Sequence, residues 1–183
     1  MGKRSSFDRV ERDFYPTPEV AVRPLLPHIP RGVRFAEPCA GNGALVKHLV
    51  NLHRASCIEM YDIEPQHHSV EKMDFRFAPP LHREVDYVIT NPPWSRDILH
   101  PLIQHFRWQR PTWLLFDADW MHTKQSRDYL QFCRKIVSVG RVKWIPDSKH
   151  TGKDNCAWYL FDAFKGDETK IETIFYGRED DSI

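Results

Sequence analysis

The chain has no long apolar run. No stretch approaches the roughly 18–20 apolar residues of a membrane helix, and mean hydropathy is −0.56. The opening MGKRSSFDRVERDF holds no apolar signal core, which argues against secretion and for a cytoplasmic protein. MGKRSS does match a loose N-myristoylation pattern, but the remainder has the composition of a compact soluble enzyme. Excess charge is also missing: 26 Lys and Arg stand against 25 Asp and Glu. A bulk polycation is thereby excluded, and nucleic-acid binding would need a local basic face. Cysteine is sparse, and Cys39, Cys57, Cys133 and Cys156 lie far apart. No CxxC or Cys/His pair has zinc spacing, so neither a disulfide framework nor a metal site is expected. Internal repeats and low-complexity segments are absent too.

What remains suits one domain: 183 residues, 41% hydrophobic and 13% aromatic. Residues 1–12 read as a charged arm, 13–177 as a single domain and 178–183 as an acidic tail. Apolar runs predict strands at 33–38, 57–63, 85–90, 112–117, 135–145 and 156–164, with a shorter one near 74–78. Helical patterns fall at 17–26, with Thr17 as cap and Pro18 in the first turn, at 43–52, with Leu45, Val46, Leu49 and Val50 on one face, at 95–107 behind Ser95, and at 122–134. Strand–helix alternation predicts an α/β fold: a mostly parallel sheet with helices on both faces. The last two strands, joined by a polar loop, read as an antiparallel pair at one edge. Ligands of such sheets bind at the carboxyl ends of the strands.

At the first of those ends stands EPCAGNGAL, residues 37–45. Gly41 and Gly43 permit a tight turn and close backbone approach before a helix. The third glycine of a dinucleotide fingerprint is replaced by Val46. Glu37 would repel a phosphate and attract a cation. The next strand ends in Tyr61-Asp62-Ile63, where Asp62 is placed to accept from the ribose hydroxyls of an adenosine-type cofactor. Asp74 is either the acceptor for that cofactor's adenine amine, with Phe75 covering the ring, or a solvated loop acid.

The fourth end is ITNPPWS, residues 89–95. Pro92 and Pro93 lock φ and restrict the residues before them, so the Asn91 side-chain oxygen and the Pro92 carbonyl have fixed directions. Neither proline carries an N–H. Two converging acceptors suit a planar NH₂ group, which gains positive charge as it attacks an electrophile. Trp94 offers a face for stacking a heterocycle.

These pieces, in this order, resemble class I S-adenosylmethionine-dependent methyltransferases of the adenine-N6 type, close to small phage-encoded DNA methyltransferases. The resemblance spans about residues 13–164 through DFYPTPE, FAEPCAGNGAL, YDIEP, KMDF, DYVITNPPW, RVKWI and DNCAWYLF. It implies a Rossmann-like fold with a seven-stranded sheet, an antiparallel edge strand and S-adenosyl-L-methionine as cofactor. Phe14, Tyr15 and Thr17 match the motif lining the cofactor site. Glu37, Cys39, Ala40 and Gly41 match the methionine-binding turn, Asp62 with the neighbouring Ile63 the ribose site, and Asp74 with Phe75 the adenine site. Asn91, Pro92, Pro93 and Trp94 match the catalytic tetrapeptide. The implied mechanism is direct methyl transfer without a covalent enzyme intermediate, in a bacterial host's cytoplasm if the gene is phage-borne. The chain departs from many DNA members in having no room for a separate target-recognition domain.

Two loops mix cations with an aromatic as a phosphate-and-base surface does. They contribute Trp120, His122, Lys124 and Arg127, and Lys143, Lys149 and Lys153; Trp144 of the second is alternatively a core residue. Arg107, Trp108 and Arg110 form a similar cluster at a helix end far from the expected site. The expected partner is DNA, single-stranded or with a flipped base, with RNA as the alternative. Related enzymes methylate guanine N2 in RNA or a protein glutamine amide, and a catalytically inactive binding module is the alternative of another class.

Overall fold

The computed structural model describes residues 15–145, 152–163 and 172–178. The predicted arm, Phe14, Lys149 and most of the tail lie outside them. Among the described residues eight strands form one sheet: β1 (Arg34–Glu37), β2 (Ser56–Asp62), β3 (Glu71–Lys72), β4 (Tyr87–Thr90), β5 (Thr112–Asp117), β6 (Cys133–Arg141), β7 (Asn155–Phe161) and β8 (Ile174–Tyr176). Their spatial order is β3-β2-β1-β4-β5-β7-β6-β8. Four helices accompany them among the described residues: α1 (Glu19–Val22), α2 (Ala44–His53), α3 (Arg96–Phe106) and α4 (Arg127–Leu130). No helix among the described residues is long and apolar enough to cross a membrane.

The sheet is mostly parallel, as expected. β7 runs antiparallel to both β5 and β6. The expected edge position of that pair is corrected, because β8 adds an eighth strand parallel to β6 on its outer side. The strand expected near 74–78 is displaced to Glu71–Lys72; Phe75–Phe77 is a 3-10 turn, capped by the Asp74 side chain accepting from Arg76 N.

Helices cover both faces. Alternate β5 residues point to opposite sides: Trp113 and Leu115 join a core with Ala21, Val22, Leu45 and Leu49, while Leu114 and Phe116 join one with α3. Leu99, Leu102, Ile103 and Phe106 recur at helical spacing and are fully buried. Each such side chain stabilises the fold by about 1.5–3 kcal/mol relative to exposure. Val50, expected on the inner face of α2, is 42% exposed, since only Leu45 and Leu49 of that helix are buried.

Two predicted helices are shorter than expected. After α1 the chain tightens to a 3-10 helix over Arg23–His28, where Pro24 and Pro27 lack the N–H groups an α-helix would need. The cap of α1 is Pro18 rather than Thr17. Ser95 occupies the cap position of α3 without a side-chain bond; its carbonyl accepts from Ile98 N and Leu99 N. The helix expected over 122–134 is reduced to α4 preceded by two 3-10 turns. Ser126 Oγ donates to the carbonyls of Met121 and Thr123, taking up acceptors that a continuous helix would use.

Candidate active site

The carboxyl ends of β1, β2 and β4 converge on a cleft of about 370 Å³. Its floor is the turn between β1 and α2. Gly41 (φ 52°) and Gly43 (φ 77°) adopt left-handed backbone there, which a side chain would strain. Bonds to the β2 end hold the turn: Ala40 N donates to Tyr61 O at 3.0 Å, and Gly41 N donates to Asp62 Oδ2 at 2.8 Å. Asp62 Oδ1 accepts from Glu64 N at 2.8 Å. Asp62 therefore first organises two loops. Each carboxylate oxygen retains a lone pair for a ligand hydroxyl.

The structure gathers the expected cofactor residues. Tyr15, Thr17, Glu37, Cys39, Ala40, Gly41, Asp62, Ile63, Asp74 and Phe75 all line this cleft. Glu37 is 2% exposed, and its Oε2 has no hydrogen-bond partner among the described residues. Burial, and secondarily the charge of Asp62, push its carboxyl well above the ordinary range. Such an oxygen is an unsatisfied acceptor awaiting a donor, best a cationic one. Asp74 accepts from Arg76 N and pairs with the Arg76 side chain, which lowers its carboxyl. Phe75 is buried against Phe106, ring centroids 6.0 Å apart, so the core fixes its orientation. Arg76 is the only cation among the described lining residues, against Glu37, Asp62, Glu64 and Asp74. That balance disfavours a pyrophosphate and fits a ligand bearing an ammonium, hydroxyls and an aromatic amine. Burial, with Asp62 and Glu37 behind it, raises the Cys39 thiol far from its reactive form.

At the β4 end, Asn91 and Pro93 line the same cleft and Pro92 is buried. Asn91 Nδ2 donates to Thr17 Oγ1 at 3.2 Å, and Trp94 Nε1 donates to Asn91 Oδ1 at 3.4 Å. Trp94 meets Trp144 edge-to-face, with centroids 5.9 Å apart and planes at 82°. Trp144 packs against the core cluster that holds Trp113 and Trp158, and beside it the backbone approaches closely: Gly152 N donates to Val142 O at 2.9 Å. A Cβ on Gly152 would stand 2.8 Å from that carbonyl, so the approach requires glycine.

The pairings Asp117↔Cys156 and Arg141↔Asn155 bring the first predicted substrate loop and the described residues of the second to this end of the sheet. His122, Lys124, Arg127, Lys143 and Lys153 are exposed there. Trp120 is a correction: it is 5% exposed and stands edge-on to Phe116 and Tyr159, and its Nε1 donates to His100 Nε2 at 3.1 Å. Its ring is a core element with no free face for a base. The Arg107–Arg110 cluster lies at the far end of α3, where Arg110 Nε bonds to Val85 O and Arg107 lies 3.7 Å from the Phe132 ring centroid. Sequence reasoning missed Gln66, whose N–H donates to Gly41 O at 2.9 Å, and Met73 and Ile98, which line the cleft. Ile98 follows the NPPW turn into an amphipathic helix, a signal that could have placed it at the site.

The chain matches no protein-family model and no curated protein. Solved structures do resemble it. A dimethyladenosine transferase from Plasmodium falciparum aligns over 81% of this chain and 62% of its own, with TM-score 0.53 and 17% identity. The 23S rRNA methyltransferase ErmE aligns over 83% and 70%, with TM-score 0.53 and 15% identity. A type I restriction-modification methyltransferase subunit from Streptococcus thermophilus aligns over 94% and 46%, with TM-score 0.50 and 10% identity. The chain thus spans less than two thirds of the Plasmodium protein. At these identities the likeness establishes the architecture: the protein has the Rossmann-like α/β fold that these methyltransferases share.

Proposed function

We propose that the protein is an S-adenosylmethionine-dependent methyltransferase acting on the exocyclic N6 amine of adenine in DNA. One observation carries this: a single cleft is lined both by the buried Glu37 carboxylate, unsatisfied among the described residues, and by the Asn91 amide, bonded at its oxygen and its nitrogen. The bound cofactor would supply an electrophilic methyl on a sulfonium. Glu37 Oε2 accepts from its ammonium, Asp62 from the ribose hydroxyls and Asp74 from the adenine amine, beside Ile63 and Phe75. Tyr15 and Thr17 close the cleft from the N-terminal side; Cys39, Ala40 and Gly41 contribute its floor.

Asn91 Oδ1 and the Pro92 carbonyl accept the two hydrogens of the substrate amine. The methyl would pass to the amine nitrogen as its bond to sulfur breaks, leaving a neutral thioether. The nitrogen would become cationic and then lose its surplus proton to solvent, and the two fixed dipoles would stabilise that charge more in the transition state than in the ground state. No enzyme nucleophile is needed, in keeping with the raised Cys39 thiol. The Trp94 ring supports the base. His122, Lys124, Arg127, Lys143, Lys149 and Lys153 serve the phosphates. A duplex must first yield its base, at a cost of a few kcal/mol, which makes single strands equally apt substrates.

RNA is the second substrate reading, favoured by two of the three structural neighbours named above, a dimethyladenosine transferase and an rRNA methyltransferase. The test is transfer of labelled methyl to matched single-stranded DNA, duplex DNA, RNA and protein, with Asn91→Ala as control and mass spectrometry of the digested product. N6-methyladenine in DNA, lost in the variant, supports the proposal. Label in RNA or in a protein amide overturns the substrate and keeps the reaction. Cofactor binding without transfer to any of the four overturns the enzymatic assignment.

A further inference from the structure

We propose that Thr17 and the indole N–H of Trp94 are positioning groups that lock the Asn91 amide with its oxygen facing the reacting amine. This role presupposes the assignment of Asn91 as that amine's acceptor. Asn91 is gripped at both ends of its amide: Nδ2 donates to Thr17 Oγ1 at 3.2 Å, and Oδ1 accepts from Trp94 Nε1 at 3.4 Å. An asparagine amide keeps nearly the same shape after a half-turn but exchanges an acceptor for two donors. In the reversed state it would aim N–H groups at an amine that requires an acceptor.

The threonine hydroxyl cannot choose between the two states, because it donates or accepts equally well. The indole can choose. Its N–H only donates, so a reversed amide would set donor against donor. A phenylalanine or tyrosine ring at position 94 would still stack on a base but would carry no N–H at this point. Trp94 is itself immobilised by edge-to-face contact with Trp144 and by packing against both core clusters. Thr17 is 5% exposed, so water does not compete for its hydroxyl. The indole takes up one of the two Oδ1 lone pairs, and the other remains for the substrate amine.

Steady-state kinetics of Trp94→Phe, Thr17→Val and Thr17→Ser on the methylated nucleic acid test the lock. Trp94→Phe and Thr17→Val should each lower kcat about tenfold, the scale of one lost hydrogen bond acting at the transition state. KM for nucleic acid should stay within about twofold in Trp94→Phe, and Thr17→Ser should restore kcat to within about twofold of wild type. A raised KM with unchanged kcat in Trp94→Phe would reduce Trp94 to a stacking ring and overturn the proposal. Nitrogen-15 NMR reads the same geometry in the wild-type protein without turnover: Trp94 Hε1 should exchange slowly and lose protection in Asn91→Ala, and Thr17→Val should shift the Asn91 side-chain amide. An unprotected Trp94 Hε1 also overturns the lock. Absence of any methyl transfer by the wild-type protein defeats the functional assignment and with it the lock's purpose, whereas wild-type transfer with wild-type kcat in both variants defeats the lock alone.

Discussion

Replacing Glu37 with glutamine tests the cleft's electrostatics most sharply. The carboxylate is 2% exposed and its Oε2 has no partner among the described residues, while its volume and shape are kept by the amide. If that oxygen receives the ligand's ammonium, the substitution removes one charge-assisted hydrogen bond, about 1.5–3 kcal/mol, or roughly 10- to 150-fold in Kd. A pH signature accompanies it. Burial and Asp62 hold the Glu37 carboxyl above its ordinary value. A cationic ligand favours the ionised form, so binding releases a proton and affinity rises with pH through the raised value. The stability effect of the free protein has the opposite sign. A folded value above the unfolded one means that Glu37 stabilises the fold fully at low pH and loses that contribution as pH rises through the folded value. Glu37→Gln should therefore bind S-adenosylmethionine weakly with little pH dependence, yet resist thermal unfolding better than wild type at the alkaline end. Calorimetry between about pH 5.5 and 7, below the ordinary range of the ligand's own amine, in two buffers of different ionisation enthalpy, measures affinity and proton release together. Equal affinity in the variant, or no proton released by wild type, would refute a cation at Glu37.

Asp62→Ala should weaken cofactor binding by about 1–3 kcal/mol and also lower Tm, because the carboxylate accepts from Gly41 N and Glu64 N in the free protein; calorimetry and thermal unfolding separate the two effects, and an unchanged Kd would place the ribose elsewhere. Lys143→Ala should reduce the salt dependence of nucleic-acid binding by roughly one phosphate's worth, a slope change of about 0.7–0.9, with methylation specificity unchanged; an unaltered slope in a salt titration would remove that loop from the interface. Leu49→Ala should cost about 2–5 kcal/mol in denaturant unfolding, since the side chain is fully buried in the core beneath β5; a loss under about 1 kcal/mol would mean that this core collapses around the gap.

What could be read from sequence follows from how local each signal is. β5 was legible to the residue because an unbroken apolar run flanked by Pro111 and Asp117 fits only a strand buried on both faces. β3 was misplaced because Glu71 and Lys72 are exposed and polar, and backbone pairing to Tyr61 and Asp62 alone makes them a strand. β8 escaped notice for the same reason: three residues, two of them exposed, carry no periodicity. The 122–134 segment has helical apolar spacing, but the Ser126 hydroxyl takes up the carbonyls. The cleft was legible because its residues cluster in short motifs at strand ends. The partnership of Thr17 with Asn91 was not, since it joins segments far apart in the chain. Trp120 misled because an aromatic among cations looks alike whether it faces solvent or the core; only the packing of Phe116 and Tyr159 around it decides.

The central claim is that one cleft presents a cofactor's reactive end to Asn91. A crystal structure with S-adenosylhomocysteine tests it most directly. The account predicts the ammonium on Glu37, ribose hydroxyls on Asp62, adenine beside Ile63 and Phe75, and the sulfur facing Asn91. Ligand density outside this cleft, or lying in it with the sulfur turned away from Asn91, would contradict it.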